Sequence, residues 1–265
     1  MHPRLSPRRH RRRLLAVAVS CAVVFFADGY GRASASPDQP GQLDFGGLVR
    51  TYIVHALAGV SHPVRLVVNL HGGGGTGRGE EALTHYDAVA DAHGFVVVYP
   101  DGIDTNWADG RGASEPDRRG IDDVGFISAL VGKLAADYGV DPGRIFATGI
   151  SNGAFMTNRL ACDRADLFAA IAPVSGTLGV NAGCAPSRPV AVRETHGTAD
   201  PIVPSDGGPM IGRGGPSTIG SAPSMIDRWR EIDGCHGVPT EDELPSVGDG
   251  TEVHRFSLDP LMSWD

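Results

Sequence analysis

Short runs rich in apolar, β-branched residues alternate along this chain with amphipathic segments. Val64 to Leu70 and Phe95 to Tyr99 read as strands buried on both faces. Arg144 to Thr148, Ala169 to Val174 and Pro189 to Glu194 read as further strands. Leu48 to Leu57 alternates loosely and predicts an antiparallel edge strand. Helical spacing appears over Glu80 to His93, over Asp122 to Tyr138 with Phe126, Leu130 and Leu134 on one face, and over Ala154 to Ala161. A further helix includes Trp229, and Thr251 to Leu258 alternates as an edge strand. Alternating β and α units predict an α/β fold, a doubly wound and mostly parallel sheet. A length of 265 residues suits one such domain, and no internal repeat is visible. Two irregular segments, Gly102 to Gly120 with Trp107 and Pro204 to Pro223, follow strand C-termini, where open α/β sheets bind ligands. They read equally as substrate-contacting loops and as mobile surface loops. Trp107 reads as a stacking platform or as loop packing.

The first 35 residues break the pattern. Arg8 to Arg13 are basic, Leu14 to Ala27 apolar, and Ala33-Ser34-Ala35 matches a small-residue cleavage site. This predicts a secretory signal peptide over 1–35, with a twin-arginine-like Arg11-Arg12-Arg13. Ser36 to Phe45 follows as a polar leader, and 46–265 is the predicted domain. Removing 1–35 takes away seven Arg and one Asp, so the formal charge moves from −8 to −14. That balance argues against nucleic acid and anionic membranes as partners. Export permits disulfides, and the exported part keeps Cys162, Cys184 and Cys235, an odd number. Cys162 and Cys184 flank one βα segment, and pairing them would contribute about 3 kcal/mol.

The chemistry concentrates in three motifs. Gly149-Ile150-Ser151-Asn152-Gly153 stands between a strand and a helix, as in the nucleophile elbow of α/β-hydrolases. There the turn is tight, the flanking residues are small, and the serine is presented at the sheet edge to attack a carbonyl carbon. Leu70-His71-Gly72-Gly73-Gly74-Gly75 is an HGGG-type loop, whose amides serve an oxyanion hole. Gly73 or Gly74, with the amide of Asn152, are the candidate oxyanion donors. A phosphate-cradling loop is the alternative, but the Gly-Lys-Ser/Thr ending is absent. His71 precedes Ser151 and reads as structural. After Ser151, His196-Gly197-Thr198-Ala199-Asp200-Pro201 places Asp200 where the triad acid belongs. The base is not identified. Only His236 and His254 follow Asp200, and His254, the better placed, lies on an alternating run rather than in a loop. No metal-ligand cluster is evident, so neither metal nor organic cofactor is expected.

These motifs have a recognisable order. Leu66 to Gly75, Tyr99 to Gly102, Asp123 to Phe126, Gly149 to Gly153, Arg159 to Cys162, Ala172 to Gly176 and His196 to Pro204 resemble secreted esterases of the polyhydroxybutyrate depolymerase, feruloyl esterase and acetylxylan esterase group. The resemblance implies an α/β-hydrolase acting on an ester substrate through an acyl-enzyme. It implies Ser151 as nucleophile, Asp200 as acid, and a Cys162–Cys184 disulfide. It further implies a cysteine partner for Cys235, a last strand and a Gly-His-Thr-Trp-Pro-like loop bearing the catalytic histidine. None of these is in the sequence, so the expectation is a member truncated through a frameshift or premature stop: a secreted serine ester hydrolase, with a catalytically impaired or merely binding remnant as the alternative. Polyester, feruloylated or acetylated xylan, and small esters are all compatible with the motifs.

Overall fold

A computed structural model describes residues 38–57, 59, 62–245 and 251–257. The predicted signal peptide lies outside the described residues. Strand β1 (Gln39–Phe45) pairs antiparallel with β2 (Leu48–His55) through a turn at Gly46-Gly47. β1 corrects two expectations. Residues 39–45 are a strand of the sheet rather than a leader, and β2 is therefore not an edge strand. The sequence Gln-Pro-Gly-Gln-Leu-Asp-Phe is too polar to announce a strand, because one face of an edge strand meets water. Its inward residue Phe45 packs on Phe126 with ring centroids 6.4 Å apart.

The chain then forms β3 (Val64–Leu70), helices α1 (Gly77–Thr84) and α2 (Tyr86–His93), and β4 (Phe95–Pro100). The single helix expected over 80–93 is broken at His85, which takes a left-handed conformation (φ 51°) and ends α1. A 3₁₀ turn over 103–105 and the short α3 (Glu115–Arg118) lie in the first irregular segment. Helix α4 (Asp123–Tyr138) is capped by the Asp122 carboxylate on the Gly125 amide and stopped by left-handed Gly139. Then come β5 (Val140–Ile150), α5 (Asn152–Asp163), β6 (Ala170–Val174) and the two-residue β7 (Ala191–Val192). The second irregular segment is partly regular: β8 (Gly208–Gly212) and β9 (Gly215–Ile219) make a hairpin. Helix α6 (Ala222–Asp233) follows, then β10 (Thr240–Leu244) and β11 (Val253–Ser257). The last two pair only with each other, so the run after Thr251 is not an edge of the main sheet.

The main sheet has the order β1-β2-β4-β3-β5-β6-β7, parallel from β4 through β7. Central strands are buried on both sides. Val96 and Val98 join a cluster with Leu66, Val68, Phe126, Leu130, Met156, Leu160 and Trp229, while Val97 and Tyr99 pack on Ala90. Cys162, at the end of α5, is disulfide-bonded to Cys184, as the resemblance implied, and Cys235 is free. No helix among the described residues is long and apolar enough to cross a membrane.

Candidate active site

Ser151 sits between β5 and α5 with φ 53° and ψ −116°, a backbone conformation that non-glycine residues rarely adopt. The neighbouring glycines explain how the turn fits. A Cβ on Gly149 would lie 2.6 Å from the Leu70 carbonyl oxygen, and one on Gly153 would strike the same oxygen. Neither position accepts a side chain without moving β3. Within α5 the first amide bonded back is that of Phe155, which donates to the Ser151 carbonyl, so the Asn152 N–H is one of the unpaired donors of a helix start. The Ser151 hydroxyl makes no hydrogen bond among the described residues. Holding Ser151 in this conformation costs about 1–3 kcal/mol. Ser151→Gly is accordingly expected to raise unfolding stability by about 1 kcal/mol in urea titrations, net of the entropy glycine adds to the unfolded chain. Ser151→Ala keeps the strain and should show no such gain.

The glycine loop after β3 lies directly against this turn. A Cβ on Gly72 would be 3.6 Å from Ser151 Cβ, and one on Gly73 would be 3.6 Å from Asn152 Cβ. The Gly74 amide donates to the Thr105 carbonyl at 2.8 Å and is therefore committed, whereas Gly73's has no partner among the described residues. Of the two glycines expected to serve an oxyanion, Gly73 is the one with a free donor. His71 is buried at the loop's start. Its Nε2 accepts from the Gly102 amide at 2.9 Å and its Nδ1 donates to the Gly72 carbonyl at 2.8 Å. Burial keeps the ring neutral by pulling its pKa below the ordinary value. It is a brace for the loop.

Asn152 is fixed by its side chain. Oδ1 accepts from the Trp107 amide at 2.8 Å, and Nδ2 donates to Asp109 at 2.5 Å. Asp109 is paired with Arg111 at 2.6 Å, and the Arg111 guanidinium lies 3.6 Å from the Phe155 ring centroid. Trp107 is fully buried, its indole N–H donating to the His71 carbonyl at 3.0 Å. Of its two readings, loop packing is the observed one, and it offers no face to a substrate. Asp123 accepts from the Ala108 amide at 2.7 Å and pairs with buried Arg50 at 2.7 Å, which locks the same loop onto the sheet.

Asp200 lies in the turn after β7. Its Oδ1 accepts from the amides of Ile202 and Val203, each at 2.9 Å. Burial opposes its charge, but those amides and the Ser175 hydroxyl outweigh it and hold the carboxyl below its ordinary pKa. An acid kept ionised in this way can stabilise an imidazolium.

Residues 51–209 match the family model described as Esterase PHB depolymerase. The chain belongs to the esterase PHB depolymerase family. It is 33% identical over 221 residues to "Probable feruloyl esterase C" of Aspergillus niger, covering 77% of this chain and 78% of that one. It is 32% identical over 220 residues to "Putative esterase NocK" of Nocardia uniformis subsp. tsuyamanensis and spans 62% of that protein's length. A solved acetyl xylan esterase from Aspergillus awamori superposes with a TM-score of 0.55 at 18% identity, over 77% of this chain and 84% of that one, which establishes the α/β-hydrolase fold.

In this esterase-family chain the described histidines are all engaged elsewhere. His254 stands on the exposed β10–β11 ribbon and pairs with Glu241 at 3.0 Å, and His236 is exposed after α6. No described histidine hydrogen-bonds Ser151 or Asp200. His196 is braced on both nitrogens: Nε2 donates to the Val203 carbonyl at 2.8 Å, and Nδ1 lies 3.0 Å from Glu194 Oε1. A carbonyl only accepts, so Nε2 carries a hydrogen and the Nδ1–Oε1 contact shares one further proton.

That proton gives the acid loop a pH dependence. Burial pushes the Glu194 carboxyl up to about 7 against the pull of His196, and Glu194 in turn raises His196. Burial also takes Glu80 and Glu81 to about 7. The folded chain therefore holds protons that the unfolded carboxyls release above about 4.5. Stability is expected to fall as pH rises from about 4.5 to about 7. Raised His196 adds a loss in the same direction as pH climbs through its folded pKa. Urea titrations across that window check it, and Glu194→Gln should flatten the slope.

Proposed function

We propose that this chain is a secreted serine carboxylic-ester hydrolase that works through an acyl-enzyme on polyester or plant cell-wall esters. The observation that carries the proposal is the strained Ser151, set against the uncommitted amides of Gly73 and Asn152. Ser151 Oγ attacks the ester carbonyl carbon, and the carbonyl oxygen takes up the negative charge beside those amides. Collapse breaks the bond to the alcohol oxygen, which leaves with the proton given up by Ser151 Oγ; water then adds to the acyl carbon, the acid is released, and one water proton returns to Ser151 Oγ. Asp200 is the acid of the triad. Export through residues 1–35 belongs to the same proposal. The polyester and xylan-ester substrate class is supported by the family description and by the relatives' names.

A second reading is a catalytically impaired member that binds esters without turning them over. It is favoured by the positions of the described histidines, none of which is bonded to Ser151 or Asp200. Without an imidazole, turnover falls by up to about a million-fold, leaving only the oxyanion and binding contributions. A steady-state aryl-acetate assay on the full chain separates the two. Sustained turnover lost in Ser151→Ala supports the hydrolase. A rate equal to that of Ser151→Ala supports the impaired member. Turnover retained in Ser151→Ala, in His254→Ala and in His236→Ala would place the chemistry elsewhere.

A further inference from the structure

Arg213 stands at the turn of the β8–β9 hairpin, within Gly212-Arg213-Gly214-Gly215. The hairpin is anchored to the parts that carry the candidate site. Met210 and Ile219 are buried with Phe155 of α5 and Val203 of the acid loop. Arg111, which braces Asn152 through Asp109, also donates to Ser217 of β9 at 3.3 Å. The turn is thereby set over the glycine loop. A Cβ on Gly73 would be 3.4 Å from Arg213 Cβ and 3.6 Å from Asn152 Cβ, so Arg213 and the oxyanion donors share one small space. A Cβ on Gly74 would be 2.7 Å from Arg213 Cδ and 2.9 Å from its Nη1, so the stem lies along the loop.

The charge of this residue has no partner among the described residues. Arg111, Arg118 and Arg119, on the neighbouring Gly102–Gly120 segment, are each paired with a carboxylate, at 2.6, 2.9 and 2.9 Å. Arg213 is exposed and has neither a hydrogen bond nor an ion pair among the described residues. A guanidinium carries a planar fork of donors that fits a carboxylate with two parallel hydrogen bonds. On the same hairpin, Ile211 is 80% exposed. In a chain of acidic balance, a cation with no partner among the described residues, set beside the oxyanion amides, attracts an anionic ligand to that spot.

We propose that Arg213 is a specificity-determining residue that selects esters bearing a free carboxylate one short aliphatic link from the scissile carbonyl. The inference rests on the site assigned above to Ser151, Gly73 and Asn152. The carboxylate takes the guanidinium fork, and the aliphatic link lies along the glycine loop toward the oxyanion amides. No bond is made or broken at Arg213.

The test uses the full chain carrying Ser151→Ala, so that ligands persist. Monoethyl succinate, an anion, and diethyl succinate, its neutral counterpart, are titrated by ¹⁵N NMR. The monoester is expected to bind roughly tenfold or more tightly than the diester, as a charge-assisted pair contributes. That preference should shrink in high salt, fall to near unity in Arg213→Gln, and be partly kept in Arg213→Lys. A thermal midpoint matching the parent shows that the hairpin is intact in each variant. Equal binding of the two esters, a preference that survives Arg213→Gln, or no binding of either ester overturns the proposal. The hydrolase reading is tested separately, by turnover and labelling of the chain with Ser151 in place. A carboxylate preference without Ser151 reactivity would overturn that reading while keeping Arg213 as a residue that binds the carboxylate.

Discussion

On the proposed hydrolase reading, Ser151→Ala is expected to lower aryl-ester turnover by a factor on the order of 10⁴ to 10⁶ while leaving the fold unchanged. Two observations set these opposite outcomes. The Ser151 hydroxyl makes no hydrogen bond among the described residues, so its loss leaves no buried polar group unpaired. The backbone strain is the same for alanine, because the turn is imposed by the contacts of Gly149 and Gly153 with Leu70. What disappears is the hydroxyl proposed to attack a carbonyl beside the Gly73 and Asn152 amides. The residual rate should be that of oxyanion stabilisation and binding alone, about 10³ to 10⁴ over water. Initial rates with an aryl acetate, together with a urea titration, measure both halves. A variant that retains turnover would remove Ser151 from the mechanism.

The second large effect is on stability. Arg50→Met is expected to cost about 3–5 kcal/mol, because it strands the fully buried Asp123 carboxylate. Arg50 and Asp123 are 1% and 0% exposed, and Arg50 also lies 3.8 Å from the Phe126 ring centroid and donates to the Asp101 carbonyl. Burial already raises the Asp123 pKa, and Arg50 is among the groups that oppose this. A loss of that size is a large part of a typical domain's 5–15 kcal/mol. Adding Asp123→Asn to Arg50→Met should recover part of the loss, since the amide oxygen still accepts from the Ala108 amide but carries no charge. Urea unfolding of the two single variants and the double variant gives the coupling. Additive costs would show that the pair is not a unit.

The two predictions meet in the loop over residues 102–120. Asp123 holds Ala108, Trp107 holds Asn152 and His71, and Asp109 with Arg111 holds Asn152 from the other side. None of this was legible in the sequence. The buried Asp109–Arg111 pair within an irregular, Gly- and Asp-rich stretch looks like any solvated loop, because its burial depends on contacts with α5 and the β8–β9 hairpin. The same holds for the β8–β9 hairpin, where Gly, Pro and Ser hide a strand pairing fixed by Met210 and Ile219 against Phe155. By contrast, β3, β4 and the elbow were readable. Their demands are local: β-branched runs for strands buried on both faces, and glycines where a Cβ would strike Leu70. The role of His196 was not readable either. Its motif marked the acid turn, but only the fold shows that Glu194 and Val203 occupy both ring nitrogens. The short edge strand β1 was missed because its exposed face is polar, and the break at His85 because no glycine or proline announces it.

The proposed function requires that Ser151, and no other serine, be the nucleophile of this chain. It is tested most directly by treating the full chain with a fluorophosphonate and mapping the adduct by peptide mass spectrometry. The predicted result is one adduct, on the peptide containing Ser151, absent in Ser151→Ala and preserved in His254→Ala. An adduct on another serine, or none at all on the folded chain, would contradict it.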